Sequence, residues 1–375
     1  MGSYVIRRLL AMVPMLLFIA VVGWVIVRLS PYGPQGRFAF SRIPNAIIDE
    51  WLRDHCLDPA ARMGPQLEAT TKEFLAYLGV WNCQTQGPFT ETGGLNLLPQ
   101  ALGGGTNGLL HLDFGLSIDY DQPVLEVVMD RVPITLLLMV PAIVFAVVVA
   151  VLLGIYQARR AGSGKDAALE ILAYLAVSAP IFWVANMLTI VFGWRLGWLP
   201  VHGLVDNLRF PPFGTPEYWD AFMAEPLAVS TDLVAHLIIP WTSLLLLAAA
   251  MESRFVRNSL LEQLDQPYVR TARAKGATER RVFYHHAFRN TATVVLTRVG
   301  LLVPVIFTGS IVIEQAFAIN GMGRLMLQAL LSMDVYVIMC LIIVGGLVIL
   351  VVNLVTDVLY GVVDPRIRHP GRYRG

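Results

Sequence analysis

The chain has 375 residues, of which 56% are hydrophobic and only 15% are charged. Soluble domains usually contain about 45–50% apolar residues, so this composition excludes an ordinary soluble protein and predicts an integral membrane protein. The formal net charge of +1 conceals an uneven distribution of charge along the chain. Three cysteines are too few for a disulfide scaffold and lack the spacing of metal ligands.

The first apolar stretch follows Arg7 and Arg8 and covers residues 9–27, long enough to approach the hydrocarbon thickness of about 30 Å. It is too long for the apolar part of a cleavable signal peptide, and no small-residue cleavage site follows it. We therefore interpret it as a retained first span. Five further spans are predicted at residues 134–156, 167–194, 234–251, 292–317 and 335–360.

Residues 30–132 form the longest polar, glycine-rich stretch and must be extracytoplasmic if the first span crosses the membrane. Residues 43–56 and 65–78 have the apolar spacing of helices, which predicts a partly helical region. Cys56 and Cys83 both lie here, and in an oxidising compartment they could form a disulfide. Two free or buried thiols are the alternative.

Each of the second to fifth predicted spans contains one proline. Kinks at these positions could line a pathway, because backbone groups freed by proline are tolerated where they face protein or water. They could equally be packing features, since proline is commoner in membrane helices than in soluble ones. The four residues are Pro141, Pro180, Pro240 and Pro304.

The charges define the orientation of the predicted spans. With both termini inside, the inner segments carry 18 Lys and Arg against 8 Asp and Glu, whereas the outer segments carry 10 against 19. The inside is therefore +10 and the outside −9, which agrees with the positive-inside rule. We predict an all-α integral membrane protein with six transmembrane helices, cytoplasmic N and C termini, and an enlarged first extracytoplasmic loop.

A strongly cationic stretch, residues 265–290, separates the fourth span from the fifth. Asp265 is expected to cap a helix over residues 266–275, with Pro267 in its first turn, and Gly276 is expected to end it in the left-handed conformation. A second helix is predicted to begin near Thr278. This layout favours a docking element over an ordinary basic cytoplasmic loop, which is the alternative reading.

The short predicted helix has one face of small residues. Tyr268, Ala272 and Gly276 follow one another at intervals of four, so they share a face that another backbone can approach closely. The cationic side chains fan outwards from it. The whole predicted docking segment is Tyr268, Val269, Arg270, Thr271, Ala272, Arg273, Ala274, Lys275 and Gly276.

The sequence YVRTARAKGATERRVFYHHAFRN resembles the "EAA" loop of the permeases of ATP-binding-cassette importers, in the branch that serves dipeptides, oligopeptides and nickel. In that family a short coupling helix inserts into a groove on the ATPase, and the positions of Ala272 and Gly276 carry the motif's signature. The chain departs from the family where the usual Leu-Pro that closes the loop is replaced around residues 288–293. The opening MGSYVIRRLLAMVP, DFGLS and the ending YGVVDPRIR resemble the family as well.

The resemblance implies the organisation of the chain. Residues 1–29 would be a first transmembrane helix with a cytoplasmic N-terminus, and residues 30–132 an extracytoplasmic region with an inserted, partly helical segment. Residues 133–368 would be the permease core of five spans, with its coupling loop at residues 254–290, and residues 369–375 a cytoplasmic tail. The protein would lie in the cytoplasmic membrane of a bacterium or archaeon.

The resemblance also implies partners and no chemistry of its own. Expected partners are a second, similar permease, two ATP-binding-cassette ATPase subunits or domains, an extracytoplasmic solute-binding protein and membrane lipid, but no nucleic acid. The chain itself would bind no metal or cofactor and hold no catalytic residue, whereas ATP and Mg would bind in the ATPases. Short peptides are the expected cargo, with nickel chelates and peptide antibiotics as alternatives within the family.

Charged residues inside predicted spans are few and are functional candidates, because an intramembrane charge is costly. Arg298 and Glu314 lie about 24 Å apart along the fifth span and cannot pair within it. By family resemblance, Glu314, Phe317, Gly321 and Gly323 form an outer gate; the alternative is an interfacial glutamate that reaches headgroup water. Asn353 and Asp357 are explained by capping and anchoring.

Rival functions predict features that the sequence lacks. An ion-coupled secondary transporter should show relays of Asp, Glu or His within its spans and repeat-related broken helices. A membrane enzyme should show paired carboxylates, metal-spaced histidines or a nucleophile motif. The sequence does not exclude a third function, that of a sensor with the permease fold.

Overall fold

The computed structural model describes residues 2–29, 78, 113–117 and 119–363, and this part of the chain is helical apart from turns and one isolated bridge between Leu116 and Pro123. Two segments are π-helical, Thr189–Arg195 and Val282–Ala287. The helices are α1 (Gly2–Leu29), α2 (Val124–Met129), α3 (Val132–Ala158), α4 (Gly164–Ser178), α5 (Ile181–Leu188), α6 (Pro216–Ala224), α7 (Pro226–Leu264), α8 (Pro267–Ala274), α9 (Glu279–Arg281), α10 (Phe288–Ala316), α11 (Met322–Ser332) and α12 (Val335–Val363).

Five stretches of the described chain are long and apolar enough to cross a membrane, and a sixth is added if a bent helix pair is one span. The all-α membrane class is therefore confirmed. The five stretches are Ile6–Ile26, Val124–Ala158, Pro226–Leu264, Val295–Ala316 and Val335–Val358. The orientation of the termini and the first outer loop stay predictions.

The predicted third span is not one continuous helix. It is broken into α4 and α5, which meet at an angle of 104°. Ala179 between them is extended, with φ −77° and ψ 130°. Pro180 explains the break, because it lacks an N–H and disfavours helical geometry in the residue before it.

The other three predicted prolines lie inside unbroken helices: Pro141 in α3, Pro240 in α7 and Pro304 in α10. Pro141 leaves the carbonyl of Leu137 without its helical donor. The indole Nε1–H of Trp241 donates to that carbonyl at 3.2 Å. A side chain of α7 therefore satisfies the backbone group that the proline of α3 frees, as a helix in an apolar environment requires.

The chain divides into two compact units, of which the larger comprises residues 1–9, 133–324 and 348–375. Helix α7 is its centre and packs against α4, α5, α6 and α10. A core of fully buried side chains, including Leu138, Leu237 and Val303, fills the space between these helices. Where α3 meets α7 the backbones approach closely, since a Cβ on Gly154 would lie 2.6 Å from the Cβ of Val256.

The smaller unit comprises residues 10–132 and 325–347. Two positions of α1 lie close to α12 there: a Cβ on Gly23 would lie 3.2 Å from Ile342, and a Cβ on Gly346 would lie 2.9 Å from Ile19. Asp334, just before α12, accepts a hydrogen bond of 2.6 Å from the Ser117 hydroxyl. This bond ties the DFGLS segment to the start of α12.

Candidate functional site

The predicted docking segment forms the eight-residue helix α8, two residues shorter than expected. Pro267 occupies its first position, where a missing N–H costs nothing because the first amides of a helix have no partner. The predicted cap is wrong. Asp265 is the C-cap of α7, whereas Gln266 is the N-cap of α8 and makes no side-chain capping bond. Only Asp265 and Gln266 therefore separate the long helix α7 from α8.

Gly276 ends α8 as the sequence predicts. Its φ is +81°, a conformation that only glycine adopts cheaply. The Gly276 amide donates to the Arg273 carbonyl at 2.9 Å, and the Ala277 amide donates to the Ala272 carbonyl at 3.2 Å. These two bonds form a Schellman motif, which satisfies the last carbonyls of the helix and reverses the chain sharply.

One apolar side chain anchors α8. Val269 is fully buried, and α8 packs there against the π-helical segment Val282–Ala287. Sequence reasoning did not assign this role to Val269, although it is the only aliphatic side chain larger than alanine in the segment. The predicted small-residue face stays accessible, since Gly276 is exposed, Ala272 is half-buried and Tyr268 is 37% exposed.

The remaining residues of the segment point away from the protein. Arg273 makes a two-point ion pair with Glu279 across the Gly276 turn, at 2.9 and 3.3 Å. Both side chains are largely exposed, so the pair orients the turn more than it stabilises it. The other exposed members are Arg270, Thr271, Ala274 and Lys275.

Helical structure continues on both sides of α8. A second helix begins after Thr278, as predicted, and α9, the π-helical segment and α10 follow one another without a break. On the other side, α7 runs directly into the Asp265 turn. The short exposed helix is thus held between two long candidate spans.

Sequence reasoning missed two ion pairs that involve α7, the helix that leads into α8. Arg298, a predicted intramembrane charge, pairs with Glu252 of α7, and Arg257 of α7 pairs with Asp166 of α4. The partners are 46 and 91 residues apart in the chain. Without the fold, no local spacing could have indicated them.

At the other predicted site, Glu314 is fully buried, so in this structure its carboxylate does not reach headgroup water. The Thr135 hydroxyl donates to one carboxylate oxygen at 2.8 Å, and the Arg324 amide donates to the other at 2.9 Å. The Thr135 oxygen in turn accepts from the Met322 amide at 2.8 Å. Glu314 therefore joins α3 and α10 to the turn that begins α11.

The structure brings the other predicted gate residues to the same place. A Cβ on Gly321 would lie 2.5 Å from the Glu314 carboxyl group, and a Cβ on Gly323 would lie 2.6 Å from the Ile311 Cα. Phe317 is buried, and its carbonyl accepts from the Gly203 amide at 2.8 Å. Ala318, next in the chain, has a φ of +54°, so the turn is strained at a residue with a side chain.

Three smaller predictions have mixed outcomes. Asp357 forms an ion pair with Arg8, with 3.1 Å between the nitrogen and the oxygen. This contact agrees with the anchoring role predicted for Asp357. Asn353 faces Gly300 of α10, whose Cβ would lie 3.1 Å from the amide oxygen. Cys56 and Cys83 lie outside the described residues, so their pairing stays a prediction. Among the described residues, no group of three or more His, Cys, Asp or Glu side chains could hold a metal ion.

Comparisons with known proteins support the assignment of this chain to a family. The family described as "Binding-protein-dependent transport system inner membrane component" matches residues 150–369. The oligopeptide transport system permease protein AppB of Bacillus subtilis is 30% identical over 371 residues, with 98% of this chain and 100% of that protein covered. The dipeptide transport system permease protein DppB of Alkalihalophilus pseudofirmus is 31% identical over the same length, with the same coverage.

DppB of Escherichia coli K12 is 37% identical over 268 residues, which cover 70% of this chain and 78% of that protein. The family match alone spans more than half of the sequence and includes α4 to α12, hence the docking segment and the Glu314 turn. Components of such systems work with a binding protein and an ATPase, and they are membrane subunits for transport rather than enzymes. The chain therefore belongs to the family of inner-membrane components of binding-protein-dependent transport systems.

Proposed function

We propose that this chain forms half of the translocation pathway of an ATP-binding-cassette importer and that the segment from Tyr268 to Gly276 docks on a cytoplasmic ATPase. The observation that carries the proposal is the position of α8. It is a short, exposed, cationic helix held between two long candidate spans by a two-residue turn and a Schellman motif. A displacement of α8 must therefore move α7 and α10.

The proposed cargo is a short peptide or a peptide-like solute. The support is the description of the similar proteins as dipeptide and oligopeptide permeases. A second, similar permease completes the pathway, and two ATPase subunits bind ATP and Mg. ATP binding closes the ATPases, shifts the two coupling helices and opens the outer side to the solute-binding protein, which requires that α8 contact the ATPase differently in each state.

The proposed outer gate is the turn around Glu314. In support of this role, the turn lies at the end of α10, is held by the carboxylate of Glu314, and contains a strained residue at Ala318. We propose that this turn alternates between an arrangement closed on the carboxylate and one released from it. Strain at a functional turn is a common way of keeping such a balance.

The docking role is tested with Gly276→Leu. A non-glycine residue at a φ of +81° strains the turn. Its side chain would enter open space, because no atom of the part of the chain that the structure describes lies within 4 Å of the added Cβ. We expect ATP hydrolysis by the purified complex to continue while uptake of labelled trialanine into proteoliposomes falls at least tenfold.

Gly214→Leu is the matched control, because Gly214 also has a positive φ, of +91°, and open space around it, but lies between α5 and α6. Its uptake should stay close to that of the parent. Normal uptake in Gly276→Leu, with the chain inserted and the complex intact, would contradict the docking role.

The proposed partners are tested by gentle affinity purification of the chain from its native membrane. We expect a second permease and ATPases to be recovered with it, and addition of the solute-binding protein to stimulate ATP hydrolysis. Recovery of the chain alone, with transport that survives ATP depletion but not loss of the ion gradient, would favour an ion-coupled secondary transporter.

A further inference from the structure

Two partly buried, bidentate ion pairs join α7 to neighbouring helices. Glu252 of α7 is 5% exposed and accepts from Arg298 of α10 at 2.8 and 3.2 Å. The Arg298 guanidinium also lies over the ring of Phe255, 4.5 Å from its centre. The first pair therefore joins α7 to α10, 12 residues before α7 ends and 10 residues after α10 begins.

The second pair joins α7 to α4. Arg257 donates to both carboxylate oxygens of Asp166, at 2.7 and 2.6 Å, and the Asp166 side chain is 4% exposed. Asp166 also accepts from the Gly162 amide at 3.0 Å, while its own amide donates to the hydroxyl of Ser163, the capping residue of α4. The carboxylate thus fixes the beginning of α4, the loop before it and α7 at once.

Glu252 and Arg257 hold α7 from two sides. Five residues of α-helix correspond to about 7.5 Å along the axis and about 140° around it. The two side chains therefore reach helices on nearly opposite sides of α7. Because one is an acid and the other a base, the two cannot exchange partners: Glu252 cannot pair with Asp166, and Arg257 cannot pair with Arg298.

The energetics of such pairs favour a role in positioning. The cost of removing two charges from water largely cancels their attraction, so a buried ion pair adds little stability compared with an apolar contact of the same volume. What a bidentate arginine–carboxylate pair does provide is a fixed orientation and register between the elements that it joins. Its use at both sides of one helix indicates that the relative positions of α4, α7 and α10 matter.

We propose that the Glu252–Arg298 and Asp166–Arg257 pairs stay closed during transport and make α4, α7, α8 and α10 one moving body. The Glu252–Arg298 pair connects α7 directly to α10, so that α7, α8 and α10 form a closed frame. Asp166–Arg257 connects this frame to α4 and, through the bend at Ala179, to α5. The inference rests on the proposed docking of α8, and it names the side chains that carry the displacement of α8 to the broken helix pair α4–α5.

The test replaces the second pair by a removable covalent link. Asp166→Cys and Arg257→Cys are introduced together in a chain whose three native cysteines have been replaced by alanine, and a short bifunctional methanethiosulfonate joins the two thiols. Without the link, we expect uptake of labelled trialanine per ATP hydrolysed to fall at least fivefold relative to the cysteine-free parent. With the link, the ratio should recover to within twofold of the parent, and a reductant should abolish the recovery.

Two results would overturn the inference. A link that blocks uptake would mean that α4 and α7 must separate during the cycle, and an unlinked variant with the parent's ratio would mean that the pair transmits nothing. A second measurement requires no cargo. The yield of the link should be equal in the nucleotide-free complex and in the complex trapped with ATP and vanadate, and a lower yield in the trapped complex would contradict a pair that stays closed.

Further variants separate positioning from folding and from docking. Arg257→Lys keeps the charge but loses the two-point geometry, so we expect an intermediate uptake per ATP in a folded chain. Arg8→Gln is the control, because it breaks an exposed pair with Asp357 outside the frame and should leave the ratio unchanged. Copurification of the ATPases is measured in every sample: its loss in the parent would contradict the proposed docking, whereas docking with an unchanged ratio in all variants would contradict only the positioning role.

Discussion

The Gly276 turn and the Glu314 turn both depend on glycine, but for opposite reasons. Gly276 has a positive φ, and no atom of the described residues lies within 4 Å of a Cβ placed there. Around Glu314, the glycines at 321 and 323 leave no space for a Cβ, because the carboxyl group and the backbone of α10 already fill it. The first turn is open on its outer side, as the proposed docking requires, and the second is closed on the chain itself.

The hydrogen bonds of the two turns differ in the same way. The Gly276 turn is held by two backbone bonds and an exposed ion pair, so it keeps its shape with little burial. The Glu314 turn is held by a buried carboxylate that accepts from one side chain and one backbone amide. We therefore expect changes at the Glu314 turn to affect mainly stability, and changes at the Gly276 turn to affect mainly coupling.

The largest effect on stability is expected for Gly323→Ala. Its methyl group would lie 2.6 Å from the Cα of Ile311, a backbone atom that cannot rotate away. Overpacking of this kind typically costs about 1–3 kcal/mol, and we expect the upper end of that range. The thermal unfolding midpoint in detergent measures the loss, with Gly164→Ala as a control because Gly164 has open space around it and no positive φ; an unchanged midpoint would contradict the close packing of Gly323 on Ile311.

A smaller effect is expected for Glu314→Gln. The amide of glutamine has one acceptor where the carboxylate has two, so either the Thr135 hydroxyl or the Arg324 amide loses its acceptor. An unsatisfied buried donor costs about 1–3 kcal/mol. The unfolding midpoint should fall, and Thr135→Val, which removes a donor to the carboxylate, should add little to the loss in the double variant. Fully additive losses would contradict a shared network.

Gly276→Ala should lower stability by about 1 kcal/mol, because the cost is that of a left-handed residue with a side chain and no clash accompanies it. The same variant separates the two turns functionally. We expect uptake per ATP hydrolysed to fall more than the unfolding midpoint does, whereas Gly323→Ala should show the reverse. The midpoint and the uptake ratio are measured on the same preparation, and equal ranking of the two variants in both measurements would contradict the comparison.

The smallest effect is expected for Arg273→Ala. The Arg273–Glu279 pair is 43% and 73% exposed, and exposed pairs contribute about 0.2–1 kcal/mol. The unfolding midpoint should hardly change, and Glu279→Ala should behave alike. A loss as large as that of Glu314→Gln would show that the Gly276 turn depends on this pair for its stability.

Much of the fold is predictable from the sequence because it follows from local chemistry. The long apolar runs of α3, α7 and α12 indicate candidate spans by length alone, and Gly276 indicates the end of α8 because no other residue adopts its φ as cheaply. The break at Ala179 was harder to predict. A proline within an apolar run can kink, break or be absorbed, and Pro141 is absorbed because Trp241 of another helix supplies a donor.

The parts that sequence did not reveal depend on contacts between distant residues. Arg298 was found as a costly intramembrane charge, but its partner Glu252 lies on another helix. Asp166 and Arg257 lie 91 residues apart in the chain, and both are largely buried in one bidentate pair. The sequence places Val269 in the predicted docking segment, but its burial depends on how α8 packs in the folded protein.

The measurement that tests the central claim most directly is thiol cross-linking from α8 in the assembled transporter. Ala274→Cys places an exposed thiol on the outward side of α8, and Met223→Cys places one on α6, where the native side chain is 82% exposed. We predict that a photoactivatable reagent on Cys at position 274 captures the ATPase subunit and that the same reagent at position 223 does not. Capture of the ATPase from position 223, or no capture from position 274 in an intact complex that hydrolyses ATP, would contradict the docking of α8.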